Sequence, residues 1–173
     1  MRTLPFYLLI VLSVIFLSCS KEDENLIDTT LLIGDWNVTA VKYTGTSTTS
    51  ALGVKYTTKF TGTGMDMDFM VSFNENPNSF VSSGTYSVEL VAEAMGDTYT
   101  QIVQVPNFTI PGSWNIVNGN KLRIESAGEV QESIINKLTT SQMIMTNHDK
   151  RTTTQNGMEV ISDISIVFTF EKD

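Results

Sequence analysis

The chain has 173 residues, enough for one domain with a hydrophobic core, and carries a formal net charge of −8 at pH 7. An acidic surface repels phosphate backbones, which argues against nucleic acid as a partner. A single cysteine and a single histidine argue against disulfides and against zinc sites built from several such side chains.

The N-terminal segment has a basic start at Arg2 and then an almost wholly apolar run, Leu4–Leu17. The run fits the roughly 7–15 residues of a signal-peptide core and is shorter than the roughly 20 of a spanning helix. Leu17-Ser18-Cys19 resembles the lipobox of bacterial lipoproteins, in which a lipid is added to the thiol and the chain is cut before the cysteine. We therefore expect residues 1–18 to be a signal peptide and Cys19 to be the lipid attachment site. The alternative is a secretory signal with an incidental cysteine.

A short polar segment follows the cysteine and consists of Ser20, Lys21, Glu22, Asp23 and Glu24. It resembles the export signal with which one large group of Gram-negative bacteria displays lipoproteins on the outer face of the outer membrane. The resemblance implies a lipid-anchored protein at the cell surface, with the membrane as its partner; a merely solvated tether is the alternative. Residues 19–30 are expected to be the lipidated cysteine and a flexible acidic tether; residues 20–30 show no periodicity and would span roughly 18 Å.

From Leu31 onward, apolar and polar residues alternate with the period of two that is typical of β-strands. The β domain is therefore predicted over residues 31–173. Predicted loops are Gly45–Gly53 and His148–Gly157, with strand breaks at Gly62 and Gly64. The predicted strands are Asp35–Thr44, Val54–Thr61, Met65–Phe73, Ser79–Met95, Tyr99–Val105, Ser113–Val117, Lys121–Glu125, Glu129–Leu138, Gln142–Asn147 and Met158–Phe170.

The spacing of these strands predicts a sandwich or a barrel. Short turns between neighbours, above all Asn118-Gly119, favour pairing in chain order. The prediction is an all-β, antiparallel, mostly up-and-down barrel of about 8–10 strands, an architecture that also removes exposed sheet edges.

Two tryptophan motifs carry a family resemblance. Gly34-Asp35-Trp36 is similar to the Gly-x-Trp signature of lipocalins. Gly112-Ser113-Trp114, followed by Gly119-Asn120-Lys121-Leu122, resembles an internal pattern of bacterial lipocalin-like lipoprotein domains. The resemblance implies a lipocalin-like barrel with an interior cavity for a small hydrophobic ligand. The resemblance implies no shared activity. The positions that it marks are therefore indicators of the fold only: Gly34, Trp36, Gly112 and Trp114. Both tryptophans are interpreted as packing in the core.

Few side chains suit catalysis. His148 adjoins Asp149, but no nucleophile elbow is present, and the histidine is interpreted as solvated. Asp66 and Asp68 would share one strand face about 6.6 Å apart. That spacing could suit a glycosidase or a calcium site, but the pair is interpreted as outward acids that protect a strand from aggregation. The sequence therefore predicts no enzyme, no metal and no cofactor.

Flexible or aromatic apolar side chains on the predicted inner faces are candidates for lining a cavity, because methionine in particular adapts to varied ligands. These candidates are Met65, Met67, Phe69, Tyr86, Met143, Met145 and Phe168. The alternative is that they fill a solid core. The protein would then be a structural or interaction lipoprotein whose surface contacts a protein or glycan partner.

Overall fold

The computed structural model describes residues 26–51, 53–105, 109–155 and 157–173. A short 3-10 helix, Thr29–Leu32, precedes nine strands. Within these ranges no helix has the length and apolar character needed to cross a bilayer. The strands are β1 Gly34–Ala51, β2 Val54–Asn74, β3 Ser79–Ala94, β4 Asp97–Val105, β5 Ile110–Val117, β6 Lys121–Ser126, β7 Glu129–Leu138, β8 Gln142–Gln155 and β9 Met158–Lys172.

Eight of the strands form a closed antiparallel ring in the order β1-β2-β3-β5-β6-β7-β8-β9, with β9 pairing back onto β1. The remaining strand, β4, forms a hairpin with β3 and lies outside the ring. Nearly every connection joins neighbouring strands, which confirms the predicted all-β, antiparallel, mostly up-and-down barrel.

The barrel wall has two different heights. The edge of β3 pairs with β5 along Ser79–Ser82 and with β4 along Tyr86–Ala94. β8 pairs with β7 only as far as Asn147 and beyond that residue pairs with β9 alone. The molecule therefore has a closed end, where all eight ring strands meet. At the opposite end it has an open sheet in the order β4-β3-β2-β1-β9-β8, of which β4 and β8 form the edges.

The segment before β1 crosses the closed end. The amide of Ile27 donates to the Gly119 carbonyl at 3.1 Å, and the side chain of Asp28 caps the 3-10 helix. Leu32 is completely buried, and its carbonyl accepts a hydrogen bond from Trp36 Nε1 at 2.8 Å. Ile27, which the sequence pattern places in the tether, thus contacts the barrel.

The hydrophobic core lies in the closed end. Trp114 donates from Nε1 to the Asn74 carbonyl at 2.9 Å and meets Phe73 edge to face, with ring centroids 6.1 Å apart. Lys172 Nζ stands 5.0 Å from the ring centroid of Trp36 and closes the core from outside. Burying each large apolar side chain contributes about 1.5–3 kcal/mol. The largest fully buried side chains are Trp36, Phe73, Phe170, Leu32, Leu122, Ile135, Met143 and Val41.

Two predicted loops and two predicted strand breaks are wrong. β1 continues to Ala51 and β8 to Gln155, and Gly62 and Gly64 lie inside the single long strand β2. Glycine in these strands allows a neighbouring side chain to approach the backbone closely, since a Cβ at Gly45 would stand 2.6 Å from the Phe60 ring.

A β-bulge changes the face of β2 near its middle. The register with β3 shifts between Met65 and Asp68, and Asp66 adopts a positive φ of 52°. Met65 pairs with Ser87, which alternates with the buried residues Tyr86 and Val88 and so faces outward. The prediction that Met65 shares the inner face is therefore wrong. Asp66 and Asp68 are both exposed, and the bulge breaks the simple two-residue spacing expected for them.

Candidate functional site: a cavity inside the barrel

A cavity of about 430 Å³ lies inside the barrel above the packed closed end. Its volume falls within the range of about 300–1,000 Å³ that is usual for small-molecule sites. All ring strands except β1 contribute to its wall. The lining residues are Phe69, Val71, Phe80, Ser82, Tyr86, Ile110, Ile124, Ser126, Ala127, Glu129, Gln131, Ser133, Met145, Asn147, Ile166, Phe168 and Phe170.

One side of the cavity is aromatic and apolar. It is built by β2, β3 and β9, whose alternation brings every second side chain to the interior. Phe69 and Tyr86 meet nearly edge to face with ring centroids 5.7 Å apart, and Phe168 and Phe170 are 6.0 Å apart. These contacts fix the ring positions and provide a preformed apolar wall.

The opposite side is polar and is built by β6, β7, their connecting turn and β8. Asn147 Nδ2 donates to the Glu132 carbonyl at 3.1 Å and to Ser133 Oγ at 3.4 Å. Ser126 Oγ donates to the Pro111 carbonyl at 2.5 Å. The polar side chains facing the cavity here are Ser126, Glu129, Gln131, Ser133 and Asn147.

A hydrogen-bonded tyrosine pair joins β1 to β3 beside the cavity. The hydroxyls of Tyr43 and Tyr86 are 2.7 Å apart. Burial raises the pKa of Tyr86, and the hydrogen bond and charge of Tyr43 raise it further. Burial also raises the pKa of Tyr43, while its hydrogen bond with Tyr86 acts in the opposite direction. Both phenols are therefore neutral at physiological pH. A Cβ at Gly62 would lie 3.0 Å from Tyr43 Cβ, so glycine leaves room for the pair.

The structure places the predicted lining residues in three locations: the cavity wall, the core and the outer face of the barrel. Phe69, Tyr86, Met145 and Phe168 line the cavity. Met143 is completely buried in the closed end. Met67 packs against the core without lining the cavity, and Met65 lies on the outer face.

The polar lining residues were not identified from the sequence. A signal for them exists in β7, where Glu129, Gln131, Ser133 and Ile135 alternate on one face. Ile135 is buried in the core, whereas the three residues before it on that face are polar. A face that changes in this way indicates a strand that runs from the core to a polar cavity wall.

The fold markers Gly34, Trp36 and Trp114 lie in the closed end, and Gly112 lies higher on β5, beside Ser126 of the cavity wall. Trp36 and Trp114 are buried, and their indole N–H groups donate to backbone carbonyls. Gly34 has a positive φ of 123° at the start of β1. A Cβ at Gly112 would stand 2.5 Å from the Glu125 carbonyl oxygen.

The other chemical candidates lie on the surface or outside the described residues. His148 Nε2 is 3.3 Å from Asp163 Oδ1, and both side chains are solvent-accessible. Among the described residues, no three His, Cys, Asp or Glu side chains group as metal ligands. Cys19 and the export segment Ser20–Glu24 fall outside the described ranges.

No family model matches the chain, and no curated protein matches it. A polyisoprenoid-binding domain from Saccharophagus degradans implicated in plant cell wall breakdown is 7% identical, with a TM-score of 0.27 over 80% of this chain and 98% of that chain. Ail, the attachment invasion locus protein of Yersinia pestis, is 8% identical, with a TM-score of 0.24 over 80% of this chain and 99% of that chain. Likenesses this distant transfer no function, so the functional proposal rests on the geometry of this chain's own cavity.

Proposed function

We propose that the barrel is a non-catalytic binding module that holds a small, mainly hydrophobic molecule in its interior cavity. The observation that carries the proposal is the cavity of about 430 Å³, with preformed aromatic walls and polar groups on one side. An apolar ligand gains about 25 cal/mol for each Å² of surface removed from water, and fixed walls lower the cost of ordering the site. Few polar groups are then needed to orient the ligand.

Filling the cavity tests this function. Ser82 is buried and lines the cavity, whereas its neighbour Ser83 alternates onto the outer face of β3. Ser82→Phe should therefore abolish binding of the neutral fluorescent probe N-phenylnaphthylamine, because the new ring occupies the ligand's space. Ser83→Phe is the matched control and should bind the probe like the wild type. Equal binding by the two variants, or no binding by the folded wild type, would contradict the proposal.

A second function, contact with a protein partner, is favoured by the exposure of β4. Eight of its nine residues are exposed, including Tyr99 at 60% and Ile102 at 61%. An uncovered edge strand with apolar side chains can pair with a strand of another chain. Ile102→Lys should abolish chemical crosslinking to such a partner while Ser82→Phe preserves it. Crosslinks that survive Ile102→Lys would exclude β4 as the contact.

The anchoring proposal is independent of the cavity. Its support is the apolar run before Cys19, the lipobox-like residues and the acidic segment Ser20–Glu24. We propose that a lipid on Cys19 holds the protein on the outer membrane, exposed at the cell surface, since multiple acyl chains make membrane binding effectively permanent. Cys19→Ala should release the protein into the soluble fraction, and protease added to intact cells should digest the wild type. Unchanged membrane retention of the variant would refute lipid anchoring.

A further inference from the structure

Among the described residues, the cavity wall is charged at one position only. Glu129 begins β7, pairs with Ser126 across the hairpin and is exposed at the rim of the cavity. None of the lining residues in the described ranges is Lys, Arg or His. Within the part of the chain that the structure describes, no cation lies within ion-pairing distance of the Glu129 carboxylate.

This charge distribution disfavours an anionic ligand. A carboxylate that leaves water for an apolar cavity loses hydration, and the loss is recovered only if a cation or several donors replace the water. In this cavity an anionic ligand would meet no cation among the lining residues. It would meet the like charge of Glu129, in a protein whose net charge is already −8.

The hydrogen bonds of the polar side favour a ligand that donates. The two N–H groups of the Asn147 side-chain amide donate to other protein atoms, and so does the hydroxyl of Ser126. The hydroxyl of Tyr86 is paired with that of Tyr43. The donors that remain on this side are the Gln131 amide and the Ser133 hydroxyl, whereas the acceptors include both oxygens of the Glu129 carboxylate and the carbonyl oxygens of Asn147 and Gln131. A ligand that brings an O–H or N–H group therefore finds more partners than one that only accepts.

Resting on the proposed binding function, we propose that the cavity selects amphiphiles whose polar group donates hydrogen bonds and is neutral or positively charged, such as long-chain alcohols and amines. The apolar tail lies against the aromatic side formed by β2, β3 and β9. The polar group lies against the side that carries Glu129, Ser133 and Asn147. Carboxylates are disfavoured.

Four ligands with the same tail separate charge from hydrogen-bond donation: n-decanol, n-decylamine, methyl decanoate and decanoate. Each is titrated as a competitor of N-phenylnaphthylamine for the folded protein at neutral pH, where the amine is an ammonium ion and the acid is a carboxylate. We expect decanol and decylamine to bind about tenfold or more tightly than decanoate. Methyl decanoate, which is neutral but cannot donate, should fall between them.

Two glutamate variants test the assignment to Glu129. Glu129→Gln should weaken decylamine about threefold and leave decanol unchanged, because the rim carboxylate is partly screened by solvent. Glu125→Gln is the matched control: Glu125 is exposed on the outer face of β6, between the two cavity-lining residues Ile124 and Ser126. It removes the same charge and should change neither affinity.

The outcomes separate this inference from the function on which it rests. If decanoate binds as tightly as decanol, the selectivity is wrong while the binding function stands. If Glu125→Gln weakens decylamine as much as Glu129→Gln does, net charge alone explains the preference and Glu129 has no specific part. If neither the fluorescent probe nor any of the four ligands binds, both the inference and the proposed function are refuted.

Discussion

Tyr43 and Tyr86 link the protonation of two side chains to the stability of the barrel. Their hydroxyls share a hydrogen bond of 2.7 Å, and burial raises both pKa values. The folded state therefore retains these two protons at a pH where the unfolded chain releases them. The pair stabilises the fold fully only below the pKa of an unfolded tyrosine, about 10.

The free energy of unfolding should consequently fall as pH rises above about 10, because the unfolded state then binds fewer protons than the folded state. Urea denaturation at a series of pH values measures this fall. The double variant Tyr43→Phe/Tyr86→Phe serves as the control and should show a shallower fall, since its remaining titration comes from lysines and exposed tyrosines. Identical slopes for the two proteins would show that the pair is not coupled to unfolding.

At the scale of elements, the 3-10 helix behaves as part of the barrel. Leu32 at its end is 0% exposed, whereas Leu26, only six positions earlier, is 73% exposed. The helix also supplies the carbonyls that accept from Trp36 Nε1 and from Lys172 Nζ, the latter at 3.0 Å. The segment therefore closes the barrel from below.

Alanine substitutions at these two leucines should have different effects on stability. Leu32→Ala should cost about 2–5 kcal/mol, because it removes buried methyl groups and leaves a cavity under Trp36. Leu26→Ala changes an exposed side chain and should stay within about 0.5 kcal/mol of the wild type. Both are measured as changes in the free energy of unfolding. A similar small cost at both positions would mean that the segment is not packed on the barrel.

Strand pairing explains which elements could be predicted from the sequence. The hairpin at Asn118-Gly119 carries a local turn signal and occurs where it was predicted. Gly45–Gly53 has the composition of a loop, yet most of it pairs with β2 on one side and β9 on the other. Pairing with a strand on each side outweighs the weak preference of these residues for a loop. The composition of the segment does not reveal that pairing.

The candidate site was predicted only in part for a related reason. Phe69, Tyr86, Met145 and Phe168 were identified because apolar alternation points inward. The bulge near Asp66 leaves the alternation of residue types intact while it reverses the face of the preceding residue, so Met65 was misplaced. The depth of each side chain along the barrel also decides whether it lines the cavity or the core, as Met143 shows.

The whole molecule combines a packed end with an exposed one. The closed end holds the buried tryptophans and Phe73. The open sheet ends in β4, which among the described strands pairs with β3 alone and is exposed on both faces. Regions with few buried contacts open more often than the core without unfolding the rest.

Amide hydrogen exchange should reflect this division. We expect the amides of β4 to exchange about tenfold or more faster than those of β1 near Trp36, because local opening of β4 breaks only one ladder. The amides of β1 provide the internal control, since β1 lies between β2 and β9. Equal protection of the two strands would show that β4 is covered in solution.

The path of the chain across the closed end has a mechanical consequence. A pull on the residues before Leu26 acts first on the hydrogen bond between Ile27 and Gly119 and then on buried Leu32. These contacts lie at the closed end, whereas Glu129 and the polar wall lie above the packed core. If a lipid on Cys19 anchors the protein and the cavity binds a ligand, as proposed, the load on the anchor would be borne at one end of the barrel while ligand exchanges at the other, and strain on the anchor would leave the shape of the cavity unchanged.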